Sequence, residues 1–449
     1  MSGWNLRAGA ALATIALSAT TLATGSASAA AGTVYYVDAV NGDDAAAGTS
    51  PATAWKSLAK ASAAPLAPGG KLLLRRGSTW RGEQLRLARS GTAAAPIVVG
   101  SYGRAAAARP VIAGHAEACV SLEGAHIEVR NLQVGLTGDG VRCSWAGFEV
   151  TGNHNVIARN LITGAAAGVY IAPKVRHTAV TANEFVDNNH MSQLTPREVN
   201  PNDDSGAFAI LIQGDESDIG WNKIRGSMAF SYDYGMDGAA VEIFLGSRNR
   251  VHHNIAVDNE TFTELGTSKE IKDNGRPADP DGTSGNVFEY NLITGPQTHT
   301  GLVTRGPRQP GSPPDPNGPV LATAFRNNTV YLTHPESQGV VCDAGCTNAH
   351  LSMSQNIVHA VVKTAYGPDV TDSHHNVFFA ARQHQMGGTD NVTADPLFAL
   401  GDATHPLRPR AGSPAIDLGV TSFGRVDVTG RTIDTTDGPP DAGAYEFNK

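Results

Sequence analysis

The chain contains 449 residues, among them 50 glycines and only 6% aromatic residues, and its formal net charge is −8 at pH 7. This acidic balance excludes the strong electrostatic attraction by which basic proteins bind nucleic acid or an anionic membrane surface. Many glycines and few aromatic residues instead favour numerous tight turns around a narrow core.

Residues 1–29 are predicted to form a secretory signal peptide. Arg7 supplies a positive charge, residues 8–22 are apolar but too few to span a bilayer, and residues 27–29 form a small-residue cleavage site. We therefore expect a secreted, extracellular protein, and we expect it to be a monomer.

Residues 30–115 are predicted to contain an N-terminal cap and the first strands. Ser50 and Pro51 form a helix-start signal, and the side chains of Trp55, Leu58 and Ala59 would share one face of the helix that follows. Such a helix can cover the open end of an elongated core. The first predicted strands are the apolar segments 71–75, 84–87 and 96–99.

The stretch 206–254 contains the same pattern twice. Gly206 opens an alternating apolar segment that is followed by Asn222, and Gly238 opens a second one that is followed by Asn254. Both offsets are 32 residues, from 238 − 206 and from 254 − 222. A repeat of roughly 20–50 residues is typical of a solenoid, in which each turn of the chain stacks on the one before.

Asparagine before a short apolar segment recurs throughout the chain. Asparagine tolerates the left-handed backbone conformation of tight turns, and stacked asparagine side chains can hydrogen-bond in a ladder. We predict that residues 116–385 form short parallel strands with these asparagines at one corner. They are Asn131, Asn160, Asn183, Asn222, Asn254, Asn291, Asn328, Asn356 and Asn376.

These repeats resemble the right-handed parallel β-helix of the pectate-lyase-like superfamily. Residues 35–102 and 395–447 resemble the opening and closing segments of many secreted bacterial proteins with this fold. The resemblance implies an all-β, single-stranded right-handed parallel β-helix with an N-terminal capping helix and loop insertions that form a groove. It also implies that residues 386–449 close the structure by packing on the β-helix, and that the partner is a polysaccharide.

Two disulfides are predicted from the four cysteines. Cys119 and Cys143 lie 24 residues apart, about one coil, and Cys342 and Cys346 would enclose a small loop. An even number of cysteines in an exported chain favours these pairings over metal binding.

One outward-facing row of strand side chains carries the candidate catalytic groups. Alignment on the strand glycines places Val241 and Ile243 inward and Glu242 outward. The predicted neighbours of Glu242 along this row are Ile210 in the preceding coil and Glu264, Arg305 and Asp343 in the following ones.

Loop insertions flank the same strands. The insertion before Gly238 carries Tyr232, Tyr234 and Asp237, and the two tyrosines are suited to stacking on sugar rings. Lys269, in the insertion that follows Glu264, and Asp343 are further candidates for substrate binding.

A polysaccharide lyase that cleaves a uronic-acid-containing glycan by β-elimination is the first functional hypothesis. This reaction needs a cation to neutralise the uronate carboxylate and a base to remove the neighbouring proton. The candidate cofactor is Ca²⁺, with Asp203, Asp204 and Asp233 as its predicted ligands. The resemblance to β-helix lyases makes Arg305 the candidate base or neutralising group, with Lys269 as the alternative.

Two other hypotheses stay open. A glycoside hydrolase needs a carboxylic acid and a carboxylate, and Glu242 with Glu264, or Glu242 with Asp237, would supply them. The second alternative is a non-catalytic module that binds glycan through the same groove.

Overall fold

Three long parallel sheets, numbered I, II and III, make up most of the molecule. The computed structural model describes residues 32–267, 282–308, 311, 317–379, 382–402, 405, 407–436 and 438–447, so the candidate Lys269 lies outside the described residues. The chain visits the three sheets in turn, and each strand pairs in parallel with the corresponding strand of the next coil. The predicted all-β right-handed parallel β-helix is confirmed.

Within the described ranges, sheets I and III are 12-stranded and sheet II is 11-stranded. Sheet I contains Val34–Val37, Lys71–Arg75, Ile97–Tyr102, Ile127–Arg130, Val156–Ala158, Ala179–Thr181, Asp218–Gly220, Arg250–His252, Val287–Glu289, Thr323–Arg326, Leu351–Ser354 and Ser373–His374. Sheet II contains Leu85–Leu87, Val120–Leu122, Ala146–Val150, Ala167–Ile171, Phe208–Ile212, Ala239–Phe244, Thr261–Gly266, Thr300–Arg305, Gln338–Asp343, Lys363–Gly367 and Gln383–Met386. Sheet III contains Thr79–Arg81, Val111–Ala113, Gln133–Gly135, Leu161–Thr163, Glu184–Val186, Lys223–Arg225, Ile255–Val257, Leu292–Gly295, Thr329–Leu332, Ile357–His359, Val377–Phe379 and Val392–Thr393.

In the part of the chain that the structure describes, three short strand pairs lie outside these sheets. Two are antiparallel and one is parallel. They are Met191–Gln193 with Ser205–Gly206, Ala229–Ser231 with Gly235–Asp237, and Thr283–Ser284 with Val320–Leu321.

Each coil sends apolar side chains from all three sheets into one continuous core. In one coil these are Phe148, Ile157 and Ile162, and all three are completely buried. The same positions of the next coil hold further apolar residues, such as Val169 and Phe185. Stacked coils therefore bury apolar surface that a single coil would expose, which is the main stabilising contribution in a solenoid.

The predicted asparagine ladder is confirmed. The Nδ2 of Asn254 donates to the carbonyl oxygen of Ile219 at 2.8 Å and to Oδ1 of Asn291 at 3.0 Å. Its Oδ1 accepts from both the backbone N–H and the Nδ2 of Asn222, each at 3.0 Å. Equivalent bonds join the members of the ladder, which are Asn160, Asn183, Asn222, Asn254, Asn291, Asn328, Asn356, Asn376 and Asn391.

The prediction for Asn131 is wrong. The residue at the ladder position of that coil is Leu132, whose backbone N–H donates to Oδ1 of Asn160 at 3.0 Å. Asn131 occupies the preceding position, where the backbone is left-handed with a φ of 61°. Asparagine at that position serves the turn and not the ladder.

We expect Asn254→Ala to lower the free energy of unfolding by about 2–4 kcal/mol, because the change leaves several buried donors and acceptors without partners. Urea denaturation followed by circular dichroism measures this loss. The matched control is Asn348, whose side chain also forms hydrogen bonds to the next coil, with Thr371 and Asp372, but is exposed. Water can replace its partners, so its replacement by alanine should cost less than about 1 kcal/mol. Equal losses in the two variants would contradict a stabilising ladder.

The N-terminal cap differs from the predicted helix. A 3₁₀ turn at Pro51–Thr53 is followed by an α-helix at Leu58–Ser62, which begins later than Pro51. Ser57 starts this helix by accepting a hydrogen bond from the backbone N–H of Lys60 at 3.1 Å. Trp55 lies before the helix and stacks on Tyr35 with ring centroids 4.7 Å apart.

Both predicted disulfides are confirmed. Cys119 is bonded to Cys143 and Cys342 to Cys346, with Cα atoms 5.6 Å apart in each pair. Across the described ranges, no helix has the length and apolar character needed to cross a membrane.

The C-terminal segment packs against the outer face of sheet III. Tyr445 and Phe398 belong to an apolar cluster with Leu292 and Ile357 from that sheet. The backbone N–H of Gly443 also donates to the carbonyl oxygen of Gln355 at 2.7 Å. The described part of this segment therefore closes the outer face of sheet III.

Candidate active site

The outer face of sheet II carries a row of side chains that we call the floor row. Paired positions in parallel strands place its members side by side, about 4.8 Å from one coil to the next. From the N-terminal coils onward they are Glu149, Tyr170, Leu211, Glu242, Glu264 and Val303. Glu242 and Glu264 are direct neighbours in this row, as the sequence predicts.

The predicted position of Ile210 is wrong. Leu211 pairs with Glu242, so the offset in sheet II is 242 − 211 = 31, whereas Arg250 and Asp218 in sheet I keep the offset of 32. The second copy of the repeat therefore has one more residue than the first between its strand in sheet II and its strand in sheet I. Ile210 is therefore directed into the core, where it is completely buried.

Arg305 and Asp343 lie two residues beyond the predicted position. Glu264 pairs with Val303, and Arg305 pairs with Asp343 in the next coil. The strand glycines caused this error, because Gly238 precedes its strand while Gly301 lies inside one. Arg305 still reaches Glu264 diagonally, and its Nη2 lies 2.5 Å from Oε1 of that residue.

Two antiparallel hairpins stand where the chain enters the floor strands. The first arm, Met191–Gln193 with Ser205–Gly206, leads into Phe208–Ile212. The second arm, Ala229–Ser231 with Gly235–Asp237, leads into Ala239–Phe244. Asp237 is the last residue of the second arm, which brings its carboxyl group to the edge of the floor row.

The environment of Glu242 favours its protonated form. The residue is only 8% exposed. Burial raises the pKa of Glu242 well above its usual value, and the negative charges of Glu264 and Asp237 raise it further. These surroundings therefore disfavour the ionised form of Glu242.

Asp237 has a pKa close to neutrality. Burial is the main cause, and the nearby charges of Glu264 and Glu260 add to it, so that the pKa of Asp237 is raised to about 7. The backbone N–H of Gly238 donates to its Oδ1 at 2.8 Å and opposes this shift only in part.

Glu264 is paired with a cation. Its side chain is 34% exposed and forms an ion pair with the guanidinium group of Arg305, whose side chain is 13% exposed. Partial burial strengthens such a charged hydrogen bond relative to one in water. The floor row thus places a carboxyl group with a raised pKa beside one that is paired with a cation.

Asp203, Asp204 and Asp233 form a cluster where the two arms meet. One carboxylate oxygen from each residue lies within 4.8 Å of the others. Oδ2 of Asp233 accepts from the backbone N–H groups of Asp203 and Asp204, at 2.9 and 3.1 Å. Burial alone would raise the pKa of Asp204, but hydrogen bonds from Thr195 and Ser231 hold it below its usual value.

This cluster fits a hard cation. Oδ1 of Asp203 and Oδ1 of Asp233 are both buried, and neither has a hydrogen-bond partner within the described part of the chain. Buried carboxylate oxygens without donors are the ligand type that Ca²⁺ prefers. Asp203 and Asp233 would therefore hold the ion, with Asp204 beside them.

The two candidate sugar-stacking tyrosines lie at the end of the second arm. Tyr232 is 46% exposed and Tyr234 is 56% exposed. Burial raises the pKa of Tyr234, and the adjacent Asp237 contributes to the same shift. Tyr234 is therefore near the acidic floor, while Tyr232 packs edge-on against Phe230.

Sequence reasoning missed an acid–histidine chain at the same edge of sheet II. Nδ1 of His299 lies 2.5 Å from Oε1 of Glu260, and its Nε2 lies 2.9 Å from Nε2 of His334. Burial raises the pKa of Glu260, and His299 opposes that shift. The signal in the sequence was the offset of 39 residues between Glu260 and His299, which equals the offset between Glu264 and Val303.

Comparisons with solved structures identify the fold. Pectate lyase Pel9A aligns with a TM-score of 0.55 and 16% identity over 92% of this chain and 96% of its own. The GH136 lacto-N-biosidase from Eubacterium ramulus aligns with a TM-score of 0.53 and 16% identity over 81% of this chain and 67% of its own. The fold is the right-handed parallel β-helix. At these identities the likeness extends to the fold alone.

Comparisons of sequence give a narrower match. No profile of a known protein family matches the chain. A lacto-N-biosidase from Bifidobacterium longum is 45% identical over 87 residues, which are 19% of this chain and 5% of the length of that protein.

Proposed function

We propose that this β-helix is an exported glycoside hydrolase that cleaves an uncharged glycan with net retention of configuration. The observation that carries the proposal is the neighbouring pair in the floor row, in which Glu242 has a raised pKa and Glu264 is ion-paired with Arg305. Side chains paired across parallel strands lie about 4.8 Å apart, close to the roughly 5 Å between the two carboxyl groups of a retaining enzyme. The local match to a lacto-N-biosidase supports the same reaction class.

The two residues have different roles in this mechanism. Glu242 donates its proton to the glycosidic oxygen while the carboxylate of Glu264 attacks the anomeric carbon, which releases the leaving sugar and forms a glycosyl ester. Glu242, now ionised, takes a proton from water, and that water displaces Glu264. Arg305 holds the side chain of Glu264 in position through their ion pair.

A polysaccharide lyase is the second candidate, and the aspartate cluster favours it because a bound Ca²⁺ attracts uronate groups. The charge of the floor argues against it. A lyase needs a positive group for the uronate carboxylate, and one candidate for that group, Arg305, is bound by Glu264. The acidic groups around Asp237 would also repel a polyuronate.

Incubation of the protein with neutral glycans and with uronate polymers tests the choice between these reactions. A retaining hydrolase yields reducing ends, and the first product seen by nuclear magnetic resonance keeps the anomeric configuration of the substrate. Unsaturated ends that absorb ultraviolet light would instead identify a lyase, and binding without cleavage would identify a glycan-binding module.

We expect Ca²⁺ to raise the melting temperature of the protein and Asp233→Asn to remove that effect. Saturating Ca²⁺ at about 100 times its dissociation constant stabilises the folded state by about 2.7 kcal/mol. Thermal unfolding with Ca²⁺ and with a chelator measures the shift. Asp343→Asn, which alters an exposed carboxylate away from the cluster, should keep the full shift. An equal response of Asp233→Asn and the wild type would place the ion elsewhere.

We expect the affinity for substrate to fall above pH 7 through ionisation of Asp237. Its pKa is raised to about 7, so the protonated group can donate to a sugar hydroxyl below that pH and cannot above it. KM should therefore rise with pH while kcat changes little. In Asp237→Asn the amide keeps a donor at every pH, so KM should become nearly independent of pH around 7. A pH profile of KM that is the same in both proteins would contradict this role.

A further inference from the structure

An apolar patch lies on the outer face of sheet II, on the N-terminal side of the acidic pair. Its buried members are Ala118, Ala146, Ala167, Phe208, Leu211 and Ala239, and they form a cluster separate from the core. The half-buried rings of Trp145 and Tyr170 pack against this cluster and form its outermost layer. We call these two rings the aromatic platform.

The platform has a defined geometry. The rings of Trp145 and Tyr170 meet edge to face, with centroids 5.3 Å apart and planes at 65°. The hydroxyl of Tyr170 donates to Oε1 of Gln213 at 2.8 Å, which fixes the orientation of that ring. The disulfide from Cys143 to Cys119 anchors the chain two residues before Trp145.

The platform is continuous with the acidic pair. Tyr170 is a member of the floor row and is separated from Glu242 by Leu211 alone. Two steps of about 4.8 Å place it about 10 Å from Glu242 along the axis of the β-helix. A glycan that lies along the floor with its cleaved bond at Glu242 therefore extends over the platform.

We propose that Trp145 and Tyr170 form a binding subsite for an uncharged pyranose ring of the glycan, on the N-terminal side of the cleaved bond. An aromatic ring buries the apolar C–H face of a sugar, while the sugar hydroxyls at its rim stay hydrogen-bonded. Glu149, the next member of the floor row, lies on the far side of Tyr170 and can hydrogen-bond those hydroxyls. The inference rests on the proposed function for the direction of the glycan, but the platform itself can bind sugar without catalysis.

The test is Trp145→Ala, assayed with neutral oligosaccharides of increasing length from a cleaved glycan. We expect kcat/KM to fall about tenfold or more for oligosaccharides long enough to reach the platform, which corresponds to about 1.4 kcal/mol, and to stay unchanged for the shortest substrate. Trp145→Phe keeps an aromatic face and should recover most of the loss. The matched control is Trp221→Ala, which removes a tryptophan that stacks on His253 away from sheet II.

Binding separates this inference from the proposed function. Calorimetric titration of the wild-type protein and of Trp145→Ala with neutral oligosaccharides of increasing length, chosen whether or not they are cleaved, needs no turnover. Suppose that the wild type cleaves no glycan and still binds longer oligosaccharides about tenfold more tightly than Trp145→Ala does. In that case the proposed hydrolase activity is wrong, and the proposed sugar-binding subsite on the aromatic platform is supported. Equal affinities of the two proteins, equal loss at every length, or no binding by the wild type would each overturn the platform.

Discussion

Glu242→Gln is expected to reduce kcat about 10³-fold on a natural glycan while leaving the melting temperature unchanged or slightly higher. Loss of a positioned proton donor removes about 10²–10⁴-fold of rate. Glutamine has nearly the shape of a protonated glutamate, and it also removes the cost of burying an acid whose pKa is raised in the folded state. The variant should therefore lose activity without losing thermal stability.

The leaving group makes this test specific. A substrate with an activated aryl leaving group needs little protonation, so Glu242→Gln should retain far more activity on it than on the natural glycan. Glu184→Gln changes an exposed carboxylate on sheet III and serves as the control with full activity on both. Full activity of Glu242→Gln on the natural glycan would exclude Glu242 as the acid.

Glu264→Ala is expected to lose about 10⁴-fold or more in kcat, because the covalent step then has no nucleophile. Added azide can enter the space left by the carboxylate and attack the anomeric carbon directly. The expected product is a glycosyl azide of opposite anomeric configuration to the substrate, identified by nuclear magnetic resonance. A glycosyl azide that keeps the substrate configuration would show that Glu264 is the acid and Glu242 the nucleophile. If Glu264→Ala has the kcat of the wild type and azide does not change it, Glu264 is excluded from catalysis.

The fold was predictable because its signals are local and repeat in every coil. An asparagine that must satisfy four buried hydrogen bonds tolerates few substitutes, so residues such as Asn222 and Asn254 recur where the ladder needs them. The pairing of Glu242 with Glu264 could also be predicted, because their two strands pair in register and no residue is inserted between the start of either strand and its glutamate.

The alignment of residues along the floor row was harder to predict, because glycine has more than one structural role in this chain. Gly238 precedes its strand with a φ of 137°, whereas Gly301 lies inside a strand, where an added Cβ would approach the carbonyl oxygen of Gly339 to 2.3 Å. The first position needs a backbone that other residues rarely adopt, and the second needs the absence of a side chain. Treating the two as equivalent displaced Arg305 by two residues. The platform residues Trp145 and Tyr170 carry no glycine signal that links them to Glu242.

The disulfide between Cys119 and Cys143 joins two successive coils, and this changes how the molecule responds to pulling. A stretched β-helix peels one coil at a time, since each coil is held mainly by its immediate neighbours. Tension that enters from the N-terminal end and reaches Cys119 passes through the sulfur atoms directly to Cys143. The residues between them carry no load, and Trp145 becomes one of the first residues beyond the bridge to feel it. Forced unfolding from the N-terminus would therefore skip the coil enclosed by the disulfide. The next strands to unfold would be those that carry the floor row.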